Sequence, residues 1–298
     1  MSFRKPSTLV LACVTVLSLA LTACGGANTS GAPGTGKIGV VTSTDVWGSV
    51  VSAVGGDQVS VTSIIHDPSA DPHSYETTPG DVVATGQAEL TLGNGGGYDD
   101  FFTKLTEQAP NARKLVAVDI AGTGEDNEHV WYSFTGVNKV ADQVAAQLGQ
   151  LRPEAAQTFT ANANAFKEKV DALATKAAGI GANHPDAKVL MTEPVPQYLV
   201  EIAKLTDATP EAFSHAIENE TDVPPATLAE VNQLISGKQI QVVLNNEQTV
   251  TPTTTQVVNE ARQAGLPVVG VTETLPAGAA DYLSWMTGQV DALAGAVG

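Results

Sequence analysis

Two histidines and two glutamates stand where a single cation could draw on all of them. His73 lies in DPSADPHSYETTPGDV (67–82), a proline-bracketed polar turn that gives an imidazole no packing role. His129 lies in EDNEHVWYS (125–133), Glu193 follows the apolar run KVLMT, and Glu273 follows VVGVT. Two imidazoles and two carboxylates form a mixed nitrogen and oxygen donor set suited to Mn(II), Fe(II) or Zn(II), and none of these needs a thiolate. The plainer alternative is a solvated His73 and carboxylates that merely cap the helices after them. Residue types alone leave both open.

The elements around these residues decide whether they can meet. Residues 37–43 (KIGVVTS), 59–65 (VSVTSII), 88–93 and 113–120 (RKLVAVDI) read as strands, separated by helical patterns. A second set follows at 188–194, 240–246 and 268–271, with helices at 225–235, 252–264 and 281–297. Strands alternating with helices of this length imply βαβ units and a largely parallel sheet. The expected fold is therefore α/β, with two lobes of similar size. Phe159, Phe166, Val170 and Leu173 fall on one face of a long helix that joins them. The expected division is an N-terminal lobe over 37–151, a linking helix over 152–178 that breaks at GIGANHP, and a C-terminal lobe over 179–298. No internal sequence repeat is legible.

Ligands of open α/β sheets collect beyond the carboxyl ends of the strands. His73, His129, Glu193 and Glu273 all follow strands, two in each lobe. His66 is expected to support the loop of His73, and His184 to be solvated. His215 is expected at the rim, its part in the site left open. Tyr75 and Trp131 are expected to wall the site, with Trp47 and Trp285 in the core. GNGGG (93–97) lacks the Gly-Lys-Ser/Thr of a phosphate loop and the spacing of a dinucleotide fingerprint, so a close-packed strand-to-helix turn is the better reading. The chain has no His-Glu-x-x-His pair and no nucleophile elbow, which argues for binding over catalysis.

The N-terminal residues carry a different message. Arg4 and Lys5 precede a short apolar run, and Leu-Thr-Ala-Cys at 21–24 is followed by GGANTSGAPGTG. This reads as a lipoprotein leader over 1–23, acylation of Cys24 and a flexible tether over 24–36, holding an exported protein at the cell membrane. Cys13 would leave with the leader, so no disulfide framework exists and a true apolar core must form. The net charge is −17, and loss of Arg4 and Lys5 makes it more negative still. Nucleic acid is excluded as a partner on that ground.

Several ordered motifs together resemble the metal-binding lipoproteins of bacterial manganese, zinc and iron ABC importers, the cluster 9 or TroA-like solute-binding family. They are DPHSYETTPGD (71–81), GNGGGYDDFF (93–102), HVWYS (129–133), TEPVPQYL (192–199) and VTETLPAGAADYLSWM (271–286). The resemblance implies a metal cleft between the lobes, with His73, His129, Glu193 and Glu273 as ligands. It implies Mn(II) or Zn(II), with Fe(II) also possible, as transported cargo, and a permease with a cytoplasmic ATPase as partner. A monomer without enzymatic activity is the corresponding expectation. Glutamate at the third ligand position resembles the manganese- and iron-leaning branch. The His-rich loop of many zinc members is absent, since residues 121–128 read AGTGEDNE. Asn127-Glu128 replaces the usual Asp-Pro before His129, and Glu273 is one methylene longer than the more frequent Asp. The rival readings are the same build around a small organic solute, with the two imidazoles too far apart to share an ion, and a surface adhesin or structural lipoprotein.

Overall fold

The computed structural model describes residues 36–298 except Ser69, Asp71 and residues 124–126. The expected leader, Cys24 and the tether fall outside the described residues. In chain order the first half contains β1 (Ile38–Thr44), α1 (Asp45–Gly55), β2 (Val59–Ile65), α2 (Pro79–Gly86), β3 (Leu90–Gly93), α3 (Asp100–Glu107), β4 (Arg113–Val116), α4 (Ala117–Ala121) and α5 (Phe134–Leu151). After α6 (Ala156–Asn183) come β5 (Lys188–Met191), α7 (Gln197–Ile202), β6 (Thr206–Asp207), α8 (Glu211–Glu218), α9 (Pro225–Ser236), β7 (Val242–Asn246), α10 (Pro252–Gln263), β8 (Val268–Val271) and α11 (Tyr282–Val297).

Each half builds one four-stranded parallel sheet, ordered β2-β1-β3-β4 in the first and β6-β5-β7-β8 in the second. The two orders are the same pattern, so a structural repeat exists where none is readable in sequence. In both sheets the order reverses beside the first strand, and crevices for ligands open at such points.

The central strands of each sheet are buried on both faces, as parallel sheets require. Side chains alternate between two cores along each strand. Ile38 and Val40 of β1, Val189 and Met191 of β5, and Val242 and Leu244 of β7 enter one central core that also holds α6 and α11. Val41 instead joins Ile64, Phe101 and Leu105 on the outer side of the first sheet. Leu190 and Val243 join Phe213, Val231 and Val257 on the outer side of the second. The central core thus runs without interruption through both lobes, and Trp47 and Trp285 lie in it as expected.

Helix α6 is the spine of that core. Phe159, Ala163, Phe166, Val170, Leu173, Ala177 and Ile180 recur at intervals of three and four and are all buried. Its 28 residues span about 42 Å. The helix continues through GIGAN to Asn183, past the break expected at Gly179. Gly181 is the reason. Its N–H donates to Ala203 O at 2.9 Å, and a Cβ there would sit 2.3 Å from that same oxygen. The glycine serves the close approach of a neighbouring chain segment and does not end the helix. Helix α11 packs on α6 and α1, and its Tyr282 N–H donates to Ser49 Oγ at 2.8 Å.

The strand expected over 113–120 is also shorter than its composition suggests. After Val116 the chain turns into α4, whose Val118 N–H donates to Asn94 O at 2.9 Å. Gly122, at φ 63°, closes the helix in the left-handed conformation that glycine takes without strain.

Candidate metal centre

The loop of His73 is fixed by the helix that follows it. Thr78 caps α2 through its side chain, which accepts from Asp81 N–H, while Thr78 N–H donates to Asp81 Oδ2 at 2.7 Å. Pro79 begins the helix, where its missing N–H costs nothing. Tyr75 O–H donates to the same Asp81 oxygen at 3.1 Å, and its ring packs on Phe101. Tyr75 therefore braces the loop and does not wall the site. Tyr98 takes the walling role beside Trp131, with its ring 5.1 Å from His73, 6.1 Å from His129 and 4.7 Å from Trp131.

GNGGG is the tight turn that was expected, and its chemistry is internal. Gly95, Gly96 and Gly97 all have positive φ. The buried Asp99 carboxylate accepts from Asn94 N–H at 2.6 Å and Gly95 N–H at 2.8 Å. The backbone N–H groups of the turn, a potential anion nest, already hold this carboxylate. Asn94 then supports the next loop, donating from Nδ2 to Glu128 O at 2.9 Å and accepting from Trp47 Nε1 at 3.2 Å.

His129 is fully buried and its orientation follows from one side chain. Asn127 Oδ1 lies 2.8 Å from the His129 N–H and 2.8 Å from Nδ1. Asn127 Nδ2 donates to Pro194 O at 2.9 Å and to Gln197 Oε1 at 3.0 Å. A backbone N–H can only donate and a carbonyl only accept, so the Asn127 amide has one consistent orientation. Nδ1 must then carry the proton, leaving the Nε2 lone pair to face the site. Asn127 thus supplies a defined partner for the imidazole.

Nε2 of His129 faces Glu218 Oε1 at 3.6 Å. His73, Glu128, His129 and Glu218 each offer a ligand atom, and these atoms all lie within 4.8 Å of one another. The structure thus brings His73 and His129 together, one at an exposed mouth and the other at a buried floor. Glu193 and Glu273 stand outside this tightest group, both buried, at the carboxyl ends of β5 and β8. Their charges reach Glu218. Asn246 at the end of β7 links their two loops: its N–H donates to Thr192 Oγ1 at 2.9 Å and its Nδ2 to Glu273 Oε1 at 2.7 Å.

Glu128, Glu218, Tyr98 and Asn127 were not singled out as site residues from sequence. His66 Nδ1 lies 3.2 Å from both Ser63 O and Ile64 O, consistent with a supporting role. His215 is 56% exposed, pairs with Glu211 along α8 and is not among the four grouped residues.

Both lobes contribute to closing the site. Gln248 Nε2 donates to Pro68 O at 2.8 Å and to Thr274 Oγ1 at 2.9 Å, while its Oε1 accepts from Glu273 N–H. Tyr198 O–H donates to Asn127 O at 2.8 Å, and Tyr132 O–H to Thr272 O at 2.9 Å.

Burial, then the nearby His73 charge, pushes the His129 imidazole down from 6.5 to about 3. Burial, then the charges of Glu128, Glu193 and Glu273, pushes Glu218 up from 4.5 to about 9. At neutral pH neither is charged without a cation, so their 3.6 Å approach is a neutral contact and not an ion pair. A stability profile follows. Below 6.5 the unfolded chain takes a proton that folded His129 refuses, so stability falls as pH drops from about 6.5 towards 3. Above 4.5 the unfolded chain loses a proton that folded Glu218 keeps, so stability falls as pH rises from about 4.5 to 9. The metal-free protein is expected to melt highest between about pH 4.5 and 6.5, where the two effects offset each other. Added Mn(II), which favours the deprotonated carboxylate, is expected to reverse the alkaline decline. Thermal scans across this pH range, with and without metal, check both statements, and a metal-free Tm that climbs towards pH 9 contradicts them.

The family model of the zinc-uptake complex component A, periplasmic, matches residues 40–296. The chain is 30% identical over 251 residues to FimA of Streptococcus parasanguinis, a metal ABC transporter substrate-binding lipoprotein, covering 74% of this chain and 80% of that one. It is 29% identical to the manganese ABC transporter substrate-binding lipoprotein PsaA of Streptococcus pneumoniae, with the same coverage. Among solved structures it is similar in fold to the periplasmic zinc-binding protein TroA of Treponema pallidum. The TM-score is 0.72 at 18% identity, covering 88% of this chain and 99% of that one.

Proposed function

For a chain that belongs to the family of the zinc-uptake complex component A, the substrate-binding proteins of metal ABC importers, we propose that His73, His129, Glu193 and Glu273 capture Mn(II) or Zn(II) for delivery to a permease. The observation that carries this reading is the convergence of the two imidazoles with the carboxylates of Glu128 and Glu218 within 4.8 Å, with the buried Glu193 and Glu273 near enough for their charges to reach Glu218. That spacing fits one ion and leaves no room for an organic solute between the rings, which disfavours the rival reading. His129 offers its lone pair from a fixed ring, and the carboxylates supply the charge that a dication offsets. Fe(II) has the same donor preferences and remains within the set.

The metal is cargo in this reading. With its donors spent on one ion, the subunit catalyses no reaction, and a cytoplasmic ATPase acting through the permease drives transport. An acylated Cys24, followed by the tether over 24–36, holds a monomer at the outer side of the cell membrane. The first lobe comprises residues 37–151, and the second follows α6, whose helix runs on to Asn183 beyond the boundary expected at 178.

Protein purified without added metal, followed by metal analysis and Mn/Zn competition, tests the proposal. An equimolar metal content is expected in the natural chain and none in the His73→Ala/Glu193→Ala double variant. A normal metal content in that variant would sink the assignment.

A further inference from the structure

We propose that Glu218, carried to the site by α8, is itself a metal ligand, and that this extra oxygen favours Mn(II) over Zn(II). The inference rests on the metal-binding reading above and adds a residue that the strand-end pattern does not contain. Ligand atoms that share an ion at bonds of about 2.0–2.3 Å cannot be much more than about 4.5 Å apart. The group of His73, Glu128, His129 and Glu218 already lies within 4.8 Å, so a few tenths of an ångström of side-chain adjustment completes it. The 3.6 Å between His129 Nε2 and Glu218 Oε1 is the length of an edge of such a coordination shell. Of the two carboxylates in the group, Glu218 is the one placed within 4 Å of the His129 Nε2.

The position of Glu218 is built and not incidental. It is the last residue of α8, and its side chain is only 14% exposed. Phe213 and Ile217 anchor the helix in the outer core of the second sheet, together with Val231, Ile235 and Val257. Helix carbonyls converge at that end, and their negative potential adds to the attraction for a cation. Glu193 and Glu273 are close enough for their charges to act on Glu218. A dication there meets two imidazoles and an excess of carboxylate oxygen.

That excess distinguishes the two cargo metals. Zinc is satisfied by four ligands in a tetrahedron and gains little from a fifth. Manganese prefers more oxygen donors and higher coordination, so the additional carboxylate stabilises it selectively.

The test is Mn(II) and Zn(II) titration of the Glu218→Gln variant of the full chain, with Co(II) absorption as a reporter of coordination number. Mn(II) affinity is expected to fall about 10–100-fold, while Zn(II) affinity changes by less than about threefold. The weak visible bands of five- or six-coordinate Co(II) are expected to give way to the intense bands of a tetrahedral site. Glu218→Asp, which keeps a carboxylate, is expected to restore part of the Mn(II) affinity. A metal-free Tm no lower than that of the natural chain shows that the variant is folded. If the His73→Ala/Glu193→Ala variant loses metal but Glu218→Gln leaves Mn(II) affinity and the Co(II) spectrum unchanged, the role of Glu218 is overturned alone. If the double variant keeps its metal, the underlying site assignment falls and this proposal with it.

Discussion

His129→Ala lowers the affinity for Mn(II) and Zn(II) by more than about 100-fold, the largest loss expected from any single ligand. His129 is the donor whose geometry is fixed in advance. Its ring is fully buried, its Nδ1–H is held by Asn127, and Tyr98 and Trp131 pack against its faces and edges. No rotamer freedom has to be given up when the ion arrives, so removing it forfeits the whole interaction. His73 stands at the exposed mouth of the site, where water can replace it on the ion, so its removal costs less. Asn127→Leu keeps the imidazole but loses the acceptor that selects its tautomer, and is expected to weaken binding about 10-fold or more. Calorimetric titration of the three variants gives the order His129→Ala, then His73→Ala or Asn127→Leu. Binding by His129→Ala within threefold of the natural chain contradicts the role given to this ring.

The second large effect lies far from the metal. Gly181→Val drives a branched side chain into the carbonyls of Ala203 and Lys204, which an added Cβ would meet at 2.3 and 2.7 Å. These are backbone atoms and cannot swing aside. The end of α6 must separate from the segment after α7, losing the Gly181 N–H to Ala203 O bond and part of the central core. The expected cost is about 3 kcal/mol, seen as a fall in Tm of roughly 6–12 °C. Gly179 provides the contrast, because a Cβ there meets nothing within 4 Å. Gly179→Ala is expected to raise stability by up to about 1 kcal/mol through helix propensity alone. Equal effects of the two substitutions would show that close packing at Gly181 is not what the glycine serves.

These two predictions also mark what sequence reading reaches. Strand ends gave His73, His129, Glu193 and Glu273 as a set because parallel sheets gather loops at one edge whatever those loops contain. Glu218 escaped because it does not follow a strand. Its helix is only eight residues long, with apolar Phe213, Ala216 and Ile217 running into the polar stretch ENETD, which reads as loop. Gly179 and Gly181 suggested a break in α6, since a glycine that permits close approach looks the same in sequence as one that ends a helix. Residues 117–120 read as strand from their branched side chains, and a tertiary bond to Asn94 overrides that preference. Asn127 was noticed as a departure, but only its amide partners on the other lobe, Pro194 and Gln197, show what it does.

The position of α11 bears on how the molecule is made. A polypeptide emerges from its N-terminus, and the first sheet, complete by Val116, can pair its strands while the rest is still being synthesised. The apolar faces of α1 and α6 cannot then be fully covered, because α11, which packs on both, follows every strand of both sheets. Tyr282 N–H reaches Ser49 on the first helix across 233 positions of sequence. A nascent chain that has reached only Asp281 has both sheets and every proposed ligand, yet leaves the spine of its core exposed to water. Helix α11 is the closing stitch, and chains that stop before it are expected to be the natural prey of quality-control proteases.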